Sequence, residues 1–194
     1  SYTEPTAVQA EAIPAALAGK DLMVSARTGS GKTAAFMLPA LTLVLKARAE
    51  RAAAPRPAKP AGVPAPARDA RDQRLDRPRS YAKPTGPRVL VLCPTRELAM
   101  QVAKAAMDYG RYVPGLSVAT IVGGVPYPAQ LRALRGPLDI LIATPGRLID
   151  HLGAGKAVLE NIEMLVLDEA DRMLDMGFID DIHHIAAATP KATR

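Results

Sequence analysis

Leu22-Met23-Val24-Ser25-Ala26-Arg27-Thr28-Gly29-Ser30-Gly31-Lys32-Thr33 decides the reading of this 194-residue chain. A short apolar run, read as a strand over Leu22–Ser25, enters a glycine-rich turn that opens into an apolar helix. This is the phosphate-loop pattern, with Ala26 where the usual first glycine stands. Its glycines let backbone N–H groups converge on phosphate oxygens at the positive end of the following helix. Lys32 then reaches the β- and γ-phosphates of a nucleoside triphosphate, and the Thr33 hydroxyl holds Mg²⁺. Gly-x-Gly-Lys-Thr/Ser arises by chance in roughly one chain of this size in a hundred. The strand-to-helix context lowers that further, so a plain flexible glycine turn is the poorer reading.

Working outward, short runs rich in Val, Leu and Ile recur at Arg88–Cys93, Ser117–Val122, Asp139–Ala143 and Met164–Leu167. Each is too short for a helix and nearly continuous, as expected of strands buried on both faces of a parallel sheet. Amphipathic stretches separate them, such as Glu97–Tyr112 with Leu98, Val102, Ala105, Ala106 and Tyr109 on one face. Thr6–Leu17 and Ile179–Ala188 also read as helices. Alternating strands and helices with short joints predict an α/β fold, three layers around a doubly wound, mostly parallel sheet. Ligands of such sheets bind at the carboxyl ends of the strands. At one such end the run Met164–Leu167 delivers Asp168-Glu169-Ala170-Asp171. Asp168 is placed to bind Mg²⁺, partly through water, and Glu169 to orient or deprotonate the water that attacks the γ-phosphate.

Composition bounds the remaining possibilities. A 48% hydrophobic, 23% charged chain is ordinary globular protein, and 4% aromatic residues with no Trp leave a core of aliphatic side chains. No apolar run approaches the roughly 20 residues of a membrane span, and Ser1–Pro5 lacks the regions of a signal peptide. The single cysteine, Cys93, has no internal disulfide partner, and no histidine lies at zinc-ligand spacing to it. These features predict a cytoplasmic protein with Cys93 as a packing residue. His183 and His184 read as surface residues, and Met173, Met176 and Phe178 as packing for the helix after the acidic tetrad.

The net charge of +6 is unevenly spread. Residues 46–88 hold 12 Lys and Arg against 4 Asp and Glu, so the rest of the chain is slightly acidic. Within residues 49–87, runs such as Ala52–Pro57 and Pro60–Pro66 repeat proline with hardly any bulky apolar side chain. Such a stretch cannot bury enough surface to offset its ordering entropy, and it reads as an extended or disordered basic insertion. A short helix around Arg68–Arg77 and an affinity for polyanions are the added expectations.

With these residues in view, the chain closely resembles the first RecA-like domain of DEAD-box RNA helicases, whose signature Asp168–Asp171 spells. The resemblance covers everything except residues 49–87, with several motifs in family order. Tyr2-Thr3-Glu4-Pro5-Thr6-Ala7-Val8-Gln9 resembles the Q motif, which implies that Gln9 reads adenine; alone, Gln9 would be read as an exposed helix residue. The match of Ala26–Thr33 to the nucleotide motif implies an ATP site of Ala26, Arg27, Thr28, Gly29, Ser30, Gly31, Lys32 and Thr33, with Asp171 alongside. Arg27 departs from the family's usual Gln. Pro94-Thr95-Arg96-Glu97-Leu98-Ala99, Gly123-Gly124 and Thr144-Pro145-Gly146-Arg147 resemble its three RNA-contacting motifs. Hydroxyls, backbone amides and the guanidinium groups of Arg96 and Arg147 suit phosphate oxygens, and none of these motifs offers an aromatic platform, so backbone contact without sequence reading is expected.

The resemblance also implies what lies outside these residues. The family's Ser-Ala-Thr motif, an aromatic residue upstream of the Q motif and a second RecA-like domain are not in the sequence. The expectation is therefore a fragment, monomeric and nearly inactive alone, of an ATP-dependent RNA helicase that uses ATP and Mg²⁺. An ATP-gated RNA clamp and a DNA motor of another helicase family are the alternatives.

Overall fold

Among the described residues four strands, β1 (Val89–Leu92), β2 (Val118–Ile121), β3 (Ile140–Ala143) and β4 (Met164–Leu167), pair in the order β2-β3-β1-β4, every pair parallel. The computed structural model describes residues 4–53 and 86–190. Helices α1 (Ala7–Leu17), α2 (Lys32–Ala53), α3 (Arg96–Tyr109), α4 (Tyr127–Arg135), α5 (Pro145–Gly153), α6 (Ala170–Asp175) and α7 (Ile179–Ala187) complete the order.

Alternation along the strands divides the core in two. Val89 and Val91 of β1 and Ile140 and Ile142 of β3 face Met37, Leu41 and Val44 of α2 and Ala99, Val102 and Ala106 of α3. Leu90, Leu92 and Leu141 face the opposite layer, with Leu134 of α4, Leu148 of α5, Met173 of α6 and Ile182 and Ile185 of α7. The central strands β1 and β3 are buried on both faces, which explains their unbroken apolar runs. Met173 and Cys93 are core residues, and Phe178 packs at the core's margin. His183 and His184 are exposed as expected.

Three expectations fail. Leu22–Ser25 forms no strand: Met23 is wholly exposed and Leu22 and Val24 are 45% and 43% exposed. An apolar run becomes a strand only where a neighbour completes its ladder, and these residues pair with no strand. β4 likewise has β1 as its only neighbour among the described residues, and its side chains are correspondingly half-open. Met176, expected to pack, is exposed. The compositional segment 49–87 is too wide at both ends. Helix α2 runs on to Ala53, because alanine and charged residues favour helix well past the start of this segment. Gly86 and Pro87 are buried, Gly86 so tightly that a Cβ would meet the Val158 carbonyl oxygen. The suggested helix at Arg68–Arg77 lies outside the described residues.

Arg48, late in α2, fastens the helix to the sheet. Its Nη2 donates to Asp139 Oδ2 at 2.5 Å and to the Gly115 carbonyl at 2.7 Å, and its Nη1 donates to the Pro114 carbonyl. Asp139 also accepts the Ser117 amide at 2.9 Å, so one carboxylate joins α2 to the starts of β2 and β3. Because the Arg48 side chain is 30% exposed, the loss on breaking the pair falls below that of a fully buried one. Asp139→Ala is expected to lower stability by about 2 kcal/mol, read as a lower urea midpoint at unchanged slope. An unmoved midpoint would contradict this linking role.

Candidate functional site

The strands end together. Leu92 lies opposite Ala143 and Leu167, and Ile121 opposite Ala143, so all four carboxyl ends reach one level. The segments that follow therefore emerge on one edge: Pro94–Arg96 after β1, Gly123-Gly124 after β2, Thr144–Arg147 after β3 and Asp168–Asp171 after β4.

The phosphate-loop segment lies between α1 and α2 and is tied to the first turn of α1. Thr6 caps α1: its hydroxyl accepts the Gln9 amide, while the Gln9 side-chain oxygen accepts the Thr6 amide at 3.1 Å. The same two side chains hold the loop. Thr6 Oγ1 donates to the Ser30 carbonyl at 2.8 Å and Gln9 Nε2 to the Gly31 carbonyl at 3.3 Å. Gln9 is thus buried, 7% exposed, and not the exposed helix residue that its type alone suggests. Gly31 is required twice over. Its φ is +85°, and a Cβ would come within 2.3 Å of Gln9 Nε2. Lys32 and Thr33 open α2 half-buried, and Lys32 Nζ donates to the Ala26 carbonyl. Arg27, Thr28 and Gly29 are exposed, whereas Ser30 Oγ is buried without a hydrogen-bond partner among the described residues.

The acidic segment supplies the opposing charge. Asp168 is 8% exposed, and burial, reinforced by the neighbouring Glu169 charge, raises its pKa. The Lys32 ammonium is near enough to act in the opposite direction, which brings the phosphate loop and β4 into one electrostatic unit. Buried Cys93, at the end of β1, has its thiol pushed far up by burial and by the Asp168 and Glu169 charges, so it stays protonated. Glu169 is the only non-glycine residue at positive φ among those described, at 53°. Holding it left-handed costs about 1 kcal/mol and turns its side chain out of the helical path of α6. Its Oε2 accepts from Arg172 at 3.3 Å. Asp171, in the first turn of α6, is exposed.

The donor set fits a phosphate-bound Mg²⁺. Among the described residues, no three His, Cys, Asp or Glu side chains converge into a protein-only metal cage. Magnesium at phosphate sites needs only one or two protein oxygens beside the phosphates and water. A buried carboxylate, Asp168, and a hydroxyl at a helix start, Thr33, are of the right chemistry.

The other three loops bring cations and backbone groups to the same edge. Thr95 caps α3, its hydroxyl accepting the Leu98 amide at 3.3 Å, and Pro94 is buried. Arg96 is exposed and donates at 3.5 Å to the Gly123 carbonyl; Gly124, at φ +73°, leaves the space that the Arg96 guanidinium fills. Thr144 precedes α5 with its hydroxyl uncommitted to a cap, Pro145 is buried, Gly146 is exposed and Arg147 is half-buried. Sequence reasoning missed Tyr127, Gln130 and His151, which link α4 and α5 beneath these loops. Gln130 donates to the Val122 and Val125 carbonyls at 3.1 and 2.9 Å, and its oxygen lies 3.2 Å from His151 Nε2. A helical signal was present: Gln130 precedes buried Leu134 by four residues and His151 follows buried Leu148 by three.

Comparison with known proteins agrees with this arrangement. The family model described as "DEAD/DEAH box helicase" matches residues 6–194. The chain is 43% identical over 190 residues to "ATP-dependent RNA helicase DeaD" of Escherichia coli strain K12, covering 98% of this chain and 24% of that protein. It is 43% identical over 188 residues to "ATP-dependent RNA helicase SrmB" of the same strain, covering 97% of this chain and 35% of that protein. The chain thus spans about a quarter to a third of the length of these relatives. A crystal structure titled "hypothetical ATP-dependent RNA helicase from Sulfolobus tokodaii" superposes with a TM-score of 0.72 at 37% identity, over 97% of this chain and 44% of that one. Among the described residues, no helix is long and apolar enough to cross a membrane. A parallel sheet with a phosphate loop facing an Asp-Glu-Ala-Asp segment, together with these matches, places the chain in the DEAD/DEAH box helicase family.

Proposed function

We propose that this chain is the first RecA-like domain of an ATP-dependent RNA helicase, binding ATP and Mg²⁺ at the phosphate loop and RNA along the neighbouring loops. The observation that supports this reading is the common level of the four strand ends, which sets Asp168–Asp171 and the cation-bearing loops on one edge, with Lys32 near enough to act on Asp168. Ala26–Gly31 presents backbone amides to the phosphates, Lys32 exchanges its Ala26 carbonyl partner for phosphate oxygens, and Gln9 with Thr6 holds the loop beside the adenine. Thr33 and Asp168 hold Mg²⁺, which when bound neutralises charge on the phosphate oxygens. Glu169, swung outward by its left-handed backbone, orients the attacking water and accepts its proton. Asp171 assists from the first turn of α6.

For RNA, Thr95, Arg96, Gly123, Gly124, Thr144, Gly146 and Arg147 offer donors suited to phosphate oxygens, with Pro94 and Pro145 shaping the turns. Sequence-neutral backbone contact follows from that inventory. The short span relative to the curated relatives supports a second RecA-like domain in the parent chain, needed for turnover. That parent would separate or remodel RNA duplexes in the cytoplasm, with the basic stretch inside residues 49–87 adding nonspecific RNA affinity.

Two measurements test these roles. In a parent chain carrying both domains, Glu169→Gln is expected to bind ATP as wild type does while kcat falls about 10²- to 10⁴-fold. Equal turnover would remove Glu169 from the chemistry. The second concerns Asp168. Between the ordinary carboxylate range and its raised native value, the folded chain binds more protons than the unfolded one, so stability falls as pH rises through that window. Asp168→Asn is therefore expected to melt above wild type at pH 7, the gain vanishing below about pH 4, while Mg²⁺-dependent ATP binding is lost. A variant less stable than wild type at neutral pH would contradict an acid held there for function at a cost in stability.

A further inference from the structure

Arg147 is poorly held by its polar contacts. Nη1 lies 3.3 Å from exposed Asp150, Nη2 lies 3.5 Å from the Val125 carbonyl, and buried Nε has no hydrogen-bond partner among the described residues. Both bonds are at the long end of the range and fix little. A guanidinium that grips a phosphate with two parallel N–H groups must nevertheless be held in plane.

The aromatic contact is better defined. The Arg147 guanidinium carbon lies 5.3 Å from the centroid of the Tyr127 ring. Tyr127 in turn stacks on His151, with centroids 4.4 Å apart and planes within 4°. His151 is fully buried, and burial together with Arg147 lowers its pKa, which favours the neutral imidazole. Its protonation pattern follows from Gln130. That amide's NH₂ is spent on the Val122 and Val125 carbonyls, so its oxygen faces His151 Nε2, which carries the proton. Backbone carbonyls at both sides of Gly123-Gly124 thus fix Gln130, Gln130 fixes His151, and His151 fixes the plane of Tyr127.

We propose that Tyr127, braced by His151 and Gln130, is a positioning residue that sets the Arg147 guanidinium in the orientation needed to bind an RNA phosphate. The inference rests on the RNA-binding reading above. Tyr127 is no platform for a base here, since the stacked imidazole covers one ring face. What the ring supplies is an attractive surface that removes rotamer freedom from Arg147 before the ligand arrives.

A double-mutant cycle on the 194-residue chain, read by anisotropy of fluorescein-labelled oligouridylate at low salt, tests this. Tyr127→Leu fills the space without a π face and is expected to weaken binding about three- to tenfold. Tyr127→Phe, which keeps the ring, is expected to bind as wild type. In the Arg147→Ala background, Tyr127→Leu is expected to cost nothing further, and ATP affinity is expected to be unchanged throughout. Wild-type binding by Tyr127→Leu, or an equal loss with and without Arg147, overturns the positioning role. Wild-type binding by Arg147→Ala alone overturns instead the RNA reading of this loop. Should Tyr127→Leu not fold, Tyr127→Met takes its place in the same cycle.

Discussion

Parallel pairing at a common level governs this molecule. A parallel strand must be re-entered from the same end, so every connection crosses the sheet and every strand releases its chain on the same edge. Because Leu92, Ile121, Ala143 and Leu167 stand level, the register alone makes neighbours of four loops of different sequence, which contacts such as Arg96 to the Gly123 carbonyl then join. The aliphatic core enforces this register, since a slip of one residue would turn Leu90 and Leu92 toward α2 and α3.

On that edge, stability is given up where the proposed chemistry sits. Asp168 is buried beside another carboxylate, with Lys32 as the compensating charge, and Glu169 is held left-handed at the start of α6. A sequence chosen for stability alone would place neither there. The phosphate loop shows the opposite treatment. Thr6 and Gln9 each do two jobs, capping α1 and holding the carbonyls of Ser30 and Gly31, so the loop is braced from outside the sheet. A side chain proposed to read the base is thereby joined directly to the loop proposed to read the phosphates.

Most of the fold was legible because periodicity is local. The runs around Val89–Leu92, Ile140–Ala143 and Met164–Leu167 form strands where their composition predicts them, and α3 buries Val102 and Ala106 as its spacing requires. The Asp-Glu-Ala-Asp segment was legible because it ends such a run. Leu22–Ser25 was misread because a strand also needs a partner, and partnership is not written in the run itself. Alanine hid the run of α2 to Ala53 in a similar way, because it belongs equally to a helix and to a proline-rich segment. Tyr127, Gln130 and His151 went unseen for a third reason. Their meaning lies in contacts between α4 and α5 around a loop, and each alone is an unremarkable helical residue.

Titration of the chain with labelled ATP, ADP and GTP in Mg²⁺, beside Lys32→Ala, tests the central claim that phosphate loop and Gln9 form one adenine-nucleotide site. Saturable binding that prefers adenine over guanine and disappears in Lys32→Ala is expected. GTP bound as tightly as ATP, or binding that survives the loss of Lys32, would contradict it.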